Sequence, residues 1–374
     1  MMSFFPTANA DTGFSPNQGF SATTPFLGTV DGVTPFNLLS NPAPQGLVQP
    51  TPASKLGAAT FLGQNLTVWD NQPRTPRVWQ WAFDIQQEAK GFLFDVAYVG
   101  SKGANLNSPL QMNALSPNYL SLGSGLQQLV ANPFAGTITT GTLANATVQR
   151  YQLLLPYPQY TGIAVQNKTR RHSEYHAMEL KVKKRMPRGI TMLVGYTVSK
   201  LFADVSNSVT NNGNNLDRGL NSTTQNPYNL GAEWSVSEMD VPNYLSVSTV
   251  AELPFGPGRA LLSNTKGLAS KLVGGWEFSS VLLVRSGFPL VFSAPGVIVG
   301  NRPNRTCSGV IDGERTKGQR VRQWFNTGCF SVPAAFTFGN DSRTNPDIRS
   351  PSFSQLDIGL AKHQNLFREA ATLT

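Results

Sequence analysis

The sequence predicts an all-β fold: antiparallel strands of a transmembrane β-barrel, partial, with about seven strands and long extracellular loops. Three observations lead there. Stretches of the chain alternate apolar and polar residues with a period of two, which a helix would scatter over all its faces. These stretches come in pairs joined by tight turns. The pairs are separated by connections far longer than the roughly five residues usual in a compact domain.

Taken in order, residues 1–77 hold no strand pattern but many turn signals, among them Ser15-Pro16-Asn17 and Asn41-Pro42-Ala43-Pro44, and read as one long loop region. The barrel part is residues 78–374. Its first pair sets Trp79, Trp81, Phe83 and Ile85 against Gln80, Asp84, Gln86 and Glu88, turns at Ala89-Lys90-Gly91, and returns through Phe92, Phe94, Val96 and Tyr98. Residues 101–173 are a second long connection. In the second pair Met178, Leu180 and Val182 alternate with Glu179, Lys181, Lys183 and Arg185. Met186-Pro187-Arg188-Gly189 supplies the turn, and Ile190, Met192, Val194, Tyr196 and Val198 resume the apolar face opposite Thr191, Gly195, Thr197 and Ser199. Residues 201–242 form the third connection. Leu245, Val247, Thr249, Ala251 and Leu253 make a fifth strand, Pro254-Phe255-Gly256-Pro257-Gly258 opens a turn, and Trp276, Phe278, Ser280, Leu282 and Val284 make a sixth. Residues 293–352 are the fourth long connection, Phe353 to Leu360 a seventh strand, and Ala370-Ala371-Thr372-Leu373-Thr374 reads as the start of another.

Each strand is expected to be about ten residues, the length a tilted strand needs to cross a bilayer. In outer-membrane barrels short turns are periplasmic and long loops extracellular, which puts the turns near Lys90, Arg188 and Pro257 in the periplasm. The expected lumen-facing residues are Asp84, Glu88, Glu179, Lys181, Lys183 and Arg185. Trp79, Trp81, Tyr98, Tyr196 and Trp276 are the expected aromatic girdle, because amphipathic rings favour the headgroup level. The competing reading is a secreted or surface β-sandwich adhesin, in which the aromatics are core and the charges a wet face.

Composition supports the barrel. Charged residues are 14% of the chain, against roughly 25% in an ordinary soluble domain. No apolar run reaches the roughly 18 residues of a membrane helix. The net charge of +9 does not point to nucleic acid, since Lys and Arg are dispersed from Lys55 to Arg368 without a basic block or a nucleic-acid motif. Met1-Met2-Ser3-Phe4-Phe5 has no basic n-region, so the expectation for an exported chain is that its signal lies upstream. Seven strands cannot close a bacterial barrel, which uses an even number, and a next strand reads as beginning at Ala370, so both ends are expected to be truncated.

At this point the chain resembles the C-terminal part of the barrel in Oar-like TonB-dependent receptors. The resemblance rests on Gly19-Phe20-Ser21-Ala22-Thr23-Thr24, Asp95-Val96-Ala97-Tyr98-Val99-Gly100-Ser101-Lys102-Gly103, Pro156-Tyr157-Pro158-Gln159-Tyr160, Ser173-Glu174-Tyr175-His176-Ala177-Met178, Tyr196-Thr197-Val198-Ser199-Lys200, Leu253-Pro254-Phe255-Gly256, Gly274-Gly275-Trp276 and Trp324-Phe325-Asn326-Thr327, in that order and spacing. It implies an outer-membrane barrel of about 22 strands with a plug. The implied partners are outer-membrane lipid, the TonB complex through an N-terminal region, and an unidentified extracellular ligand. No plug domain, TonB box or closing strand with a terminal aromatic residue is present.

The remaining motifs point to no catalysis and to no cofactor. Cys307 and Cys329, the only cysteines, lie in the fourth long connection and are expected to form a disulfide at an oxidising cell surface. A thiol nucleophile would need a base, and no His lies between Gly300 and Asn340. His172, Glu174 and His176 share one strand face and could in principle hold a metal, against the plainer reading of polar groups at a strand mouth. The oxygen-rich stretch Asn207 to Asn226 lacks calcium-loop spacing, and Phe255-Gly256-Pro257-Gly258-Arg259 lacks the donors and GK[ST] of a phosphate cradle. No Ser/His/Asp or paired-carboxylate constellation stands out, so the chain reads as a non-enzyme.

Overall fold

The computed structural model describes residues 28–49, 55, 57–59, 61–139, 141–186, 189–205, 224–294, 299–366 and 371–373. Seven long strands dominate it: β1 (Arg77–Ala89), β2 (Phe92–Gln111), β3 (Gly162–Met186), β4 (Ile190–Ala203), β5 (Asn243–Glu252), β6 (Trp276–Arg285) and β7 (Phe353–Lys362). They lie side by side in chain order, an up-and-down meander in which each strand pairs with its sequence neighbours. The outer edges of β1 and β7 pair with no further strand among the described residues. No described helix is long and apolar enough to cross a membrane.

Two strands are much longer than the ten residues expected: β2 has 20 and β3 has 25. The alternation that marks a strand stops in Gly103-Ala104-Asn105-Leu106-Asn107-Ser108, yet the strand continues there, with Gly103 opposite Val78 and Ala104 opposite Arg77. A further correction is that the region 1–77 contains a strand: Asn65–Val68 pairs in parallel with Gly162–Val165. Residues Ala371–Leu373 do not add an eighth strand to the meander. They fold back on Gln364–Leu366.

The described residues of Met1–Asp70 and Pro109–Gln166 form one compact unit, those of Asn71–Ser108 and Asn167–Thr374 another. The first is built around Ile138, Leu143 and Val148, packed by Leu62, Val130, Phe134 and Leu153. Buried amides hold its irregular backbone. Asn132 donates to the carbonyls of Leu143 and Asn145 at 2.8 and 2.7 Å, and Gln152 donates to those of Pro158 and Tyr160 at 2.7 and 2.9 Å. Such bonds are needed because a buried carbonyl without a donor costs about as much as a lost hydrogen bond.

The second unit contains most of the meander and the connections of 224–242 and 286–352. Phe292, Phe325 and Phe330 cluster there with centroids 4.7 to 5.7 Å apart. Thr316 and Gln319 form a reciprocal cap on the helix Lys317–Arg322.

Candidate functional site

The strand registers turn seven separate alternation patterns into two continuous faces. Phe83 stands opposite Tyr98 and Ile85 opposite Val96. Met178, Leu180 and Val182 stand opposite Val198, Tyr196 and Val194. Tyr196 and Val194 in turn face Leu245 and Val247, Val247 faces Leu282, and Leu282 faces Leu356. Tyr98 meets His176 and Phe92 meets Lys184, so β2 and β3 carry their series on the same side. One side of the meander therefore carries the apolar series of every strand, with His176, Lys184 and Lys362 among its few polar members. A one-residue slip at any interface would break it.

Among the described residues nothing covers this apolar face. Phe83 is 65% exposed and Ile358 64%, and Met178 remains 45% exposed in the middle of the wall. A sandwich would bury these side chains beneath a second sheet.

The opposite face carries Asp84 and Glu88 on β1 and Glu179, Lys181 and Lys183 on β3, with Lys181 3.0 Å from Glu179. Arg185 holds the matching register position opposite Thr191, while its side chain lies outside the described residues. The neighbouring positions are small: Gly195 faces Lys181 on one side and Ser246 on the other, and Gly359 faces Ser279. A Cβ at Gly195 would stand 2.9 Å from the Ser246 hydroxyl.

The five aromatic residues all lie on the apolar face. Trp79 and Trp81 sit toward the end of β1 remote from its turn, and Trp81 lies so flat over Gly100 that a Cβ there would collide with the indole. Tyr98 shares a hydrogen bond of 2.8 Å with His176 Nδ1. Trp276 begins β6 at the turn end, beneath Lys362 Nζ at 4.9 Å from its ring. Tyr196 stands halfway along β4 and donates to Asn243 Oδ1 at 2.7 Å.

His172, Glu174 and His176 go to three different partners: Asp204 at 3.2 Å, Lys102 at 2.8 Å and Tyr98. Among the described residues no group of three or more His, Cys, Asp or Glu side chains is placed to hold a metal ion. Residues 206–223, most of the oxygen-rich stretch, lie outside the described residues.

At the strand ends remote from the turns, the long connections pack around buried ion pairs. Arg343 bridges to Glu238 at 2.6 Å, Arg349 to Asp240 at 2.6 Å, and Arg302 to Glu233. The same guanidinium groups serve backbone carbonyls: Arg343 donates to Glu233 and Ala203, and Arg349 to Pro346, Asp240 and Gly287. Cys307 and Cys329 are joined in a disulfide with their Cα atoms 5.1 Å apart. Beside it an open polar cleft of about 400 Å³ is lined by Arg305, Cys307, Ser308, Asn340, Asp341 and Ser342. Burial pushes the Asp341 carboxyl up, partly offset by the Asn345 amide. For Asp347 burial acts in the same direction, but hydrogen bonds from Arg305 and Ser308 outweigh it and hold the carboxyl below its ordinary value.

The ion pairs are the feature that pattern reading misses. A signal exists for them, because three of the few acidic residues of this charge-poor chain, Glu233, Glu238 and Asp240, crowd into eight positions.

Residues 2–374 match a family described as outer membrane beta barrel domain. The crystal structure of the outer membrane transporter YddB from Escherichia coli is similar over 63% of this chain and 24% of that one, with 10% identity and a TM-score of 0.33. This chain thus spans about a quarter of that transporter's length. No curated protein is similar at a significant level.

Proposed function

The chain belongs to the outer membrane β-barrel domain family and resides in the outer membrane, and from that premise we propose that it forms part of the wall of a TonB-dependent transporter similar to the Oar-like receptors. In this reading the apolar face of the meander contacts outer-membrane lipid, the polar and small-residue face borders the translocation path, and the arginine-laced connections form the extracellular body that captures ligand. The carrying observation is the register-aligned, uncovered apolar face backed by small and charged residues, the arrangement that a barrel strand needs between hydrocarbon and a polar lumen.

Completion of the wall is part of the proposal. Each unpaired backbone group along the free edges of β1 and β7 would cost several kcal/mol in hydrocarbon, so further strands must pair there. The chain expressed alone is accordingly expected to give no heat-resistant band in unboiled detergent gels and no single-channel conductance. Either signal would show that it closes by itself.

Transport is tested in the host by deleting this coding region and measuring uptake of labelled peptides, oligosaccharides and metal chelates, with and without a functional TonB complex. Loss of one uptake activity, reproduced by loss of TonB, supports the reading. Unchanged uptake of all three classes, or a loss that TonB does not reproduce, rejects it.

A further inference from the structure

The connection between β5 and β6 lies at the turn end of the wall and is the longest of the connections there. It carries the short helix Gly267–Val273. Leu268 and Leu272, one turn apart and so on one side of this helix, are 80% and 70% exposed. Leu261 and Leu262, just before it, also stand in the open. A water-facing turn has no physical reason to present four leucines.

The helix is held at the lipid side of the wall. Its Leu272 carbonyl accepts from Trp276 Nε1 at 3.0 Å and from Lys362 Nζ at 3.0 Å, and Lys362 also donates to Gly274 at 2.8 Å. Trp276 and Lys362 face each other in the strand register and belong to the apolar series that continues through Phe278 and Leu360. The leucines thus extend the lipid-facing belt past its periplasmic end. Lys266 and Lys271, both exposed, flank them with positive charge.

We propose that residues 261–272 form an interfacial anchor that lies in the headgroup region of the periplasmic leaflet, with Leu261, Leu262, Leu268 and Leu272 inserted toward the acyl chains and Lys266 and Lys271 at the phosphates of phospholipid. The occupant follows from two observations. The patch is continuous with the surface assigned to lipid, and its basic rim complements anionic headgroups. A segment of this kind sits about 5–10 Å into the headgroup and acyl boundary. It would fix the height of the wall in the membrane, with Trp276 and Lys362 as the neighbouring interface residues. The inference rests on the proposed wall orientation.

Site-directed spin labels test it in the full-length protein in isolated outer membranes, since the native cysteines are bonded to each other and leave an introduced cysteine as the target. Labels at Leu268→Cys and Leu272→Cys are compared with Met178→Cys, in the middle of the apolar face, and Val321→Cys, exposed on a connection at the other end. Collisions with oxygen report lipid, and collisions with a water-soluble nickel chelate report solvent. The expected result is that positions 268 and 272 are severalfold less accessible to nickel than position 321 and more accessible to oxygen, at a shallower depth than position 178. Lys266→Glu with Lys271→Glu should raise nickel access at 268. Nickel access equal to that at 321, or a label immobilised and shielded from both reagents as in a protein contact, overturns the anchor. Solvent access at 178 would overturn the wall reading itself and the anchor with it, which separates the two failures.

Discussion

The meander and the long connections of the same unit satisfy one requirement, a partner for every buried polar backbone group, in opposite ways. In β3 and β4 the backbone serves itself through fourteen residue pairs from Met186–Ile190 to Ser173–Ala203, and side chains are left to sort by face. In the connections of 224–242 and 286–352 the backbone pairs only in short stretches, and side chains supply much of the rest. Arg343, Arg349 and Arg305 reach the carbonyls of Ala203, Glu233, Asp240, Gly287, Pro346, Cys307 and Ser308. A planar guanidinium with five donors suits that task, and a carboxylate beside each one offsets its charge. Charge on the apolar side of the strands is thus confined to a few positions such as Lys184 and Lys362, which lie over aromatic rings, while the loops bury whole arginine–carboxylate pairs.

The largest expected effect breaks the loop side of this contrast. Arg343→Met removes the guanidinium that pairs with the Glu238 carboxylate and donates to the carbonyls of Glu233 and Ala203 and should cost about 3–5 kcal/mol, whereas Arg343→Met combined with Glu238→Leu should recover most of it. Denaturant unfolding of the loop body, followed by Trp324 fluorescence, measures both. Equal losses in the single and double variants would mean that the pair acts through shape and not charge.

Removing the bridge with Cys307→Ser and Cys329→Ser should cost about 3 kcal/mol through loop-closure entropy. The check is that unreduced protein from intact outer membranes shows no alkylation at either position, while the double variant unfolds at lower denaturant. Alkylation of both cysteines without reduction would show that the bridge does not form in the cell.

On the strand side, Met178→Arg should destabilise insertion by about 2–4 kcal/mol if the position is near the bilayer midplane, and Lys181→Gln, three residues away on the other face, by little. Refolding into lipid vesicles at graded denaturant reads the difference. Equal costs would dissolve the two-face assignment.

The smallest effect concerns pH. The Asp341 carboxyl is raised by burial, so its ionised form weakens the folded state at neutral pH, and that penalty fades as pH falls through the raised value toward 3.8. Asp347, held below 3.8, acts the other way: its contribution is full above 3.8 and is lost only as pH falls below it. Asp341→Asn should therefore flatten the gain in loop stability on mild acidification and leave the loss below pH 3.8 in place. A variant with an unaltered profile above 3.8 would show that Asp341 does not titrate there.

The seven strands were legible because one apolar and one polar face impose a period of two on the side chains, so Met178 and Lys181 announce their faces without any neighbour being known. Legibility ended where that selection ended. The far end of β2 continues as a strand through Gly103-Ala104-Asn105 with no pattern to mark it, since backbone pairing places little demand on which residue is there. The ion pairs were hidden for a different reason. Glu238 and Arg343 are 105 residues apart, and nothing local in either segment names the other. The position of the helix Gly267–Val273 likewise depends on Lys362, which reaches its carbonyls from a strand 88 to 90 residues further along the chain.

The amino-acid sequence by itself thus determined that the chain is all-β, where its strands alternate and which side chains share a face, because those properties are set residue by residue by the solvent each side chain meets. Tertiary structure alone decided the register that joins seven apolar stripes into one surface, the pairing of arginines with distant carboxylates and carbonyls, and the placement of four leucines beside the end of that surface. These depend on which distant segments meet, and hydrogen bonding and burial choose among such meetings only once the whole meander has formed.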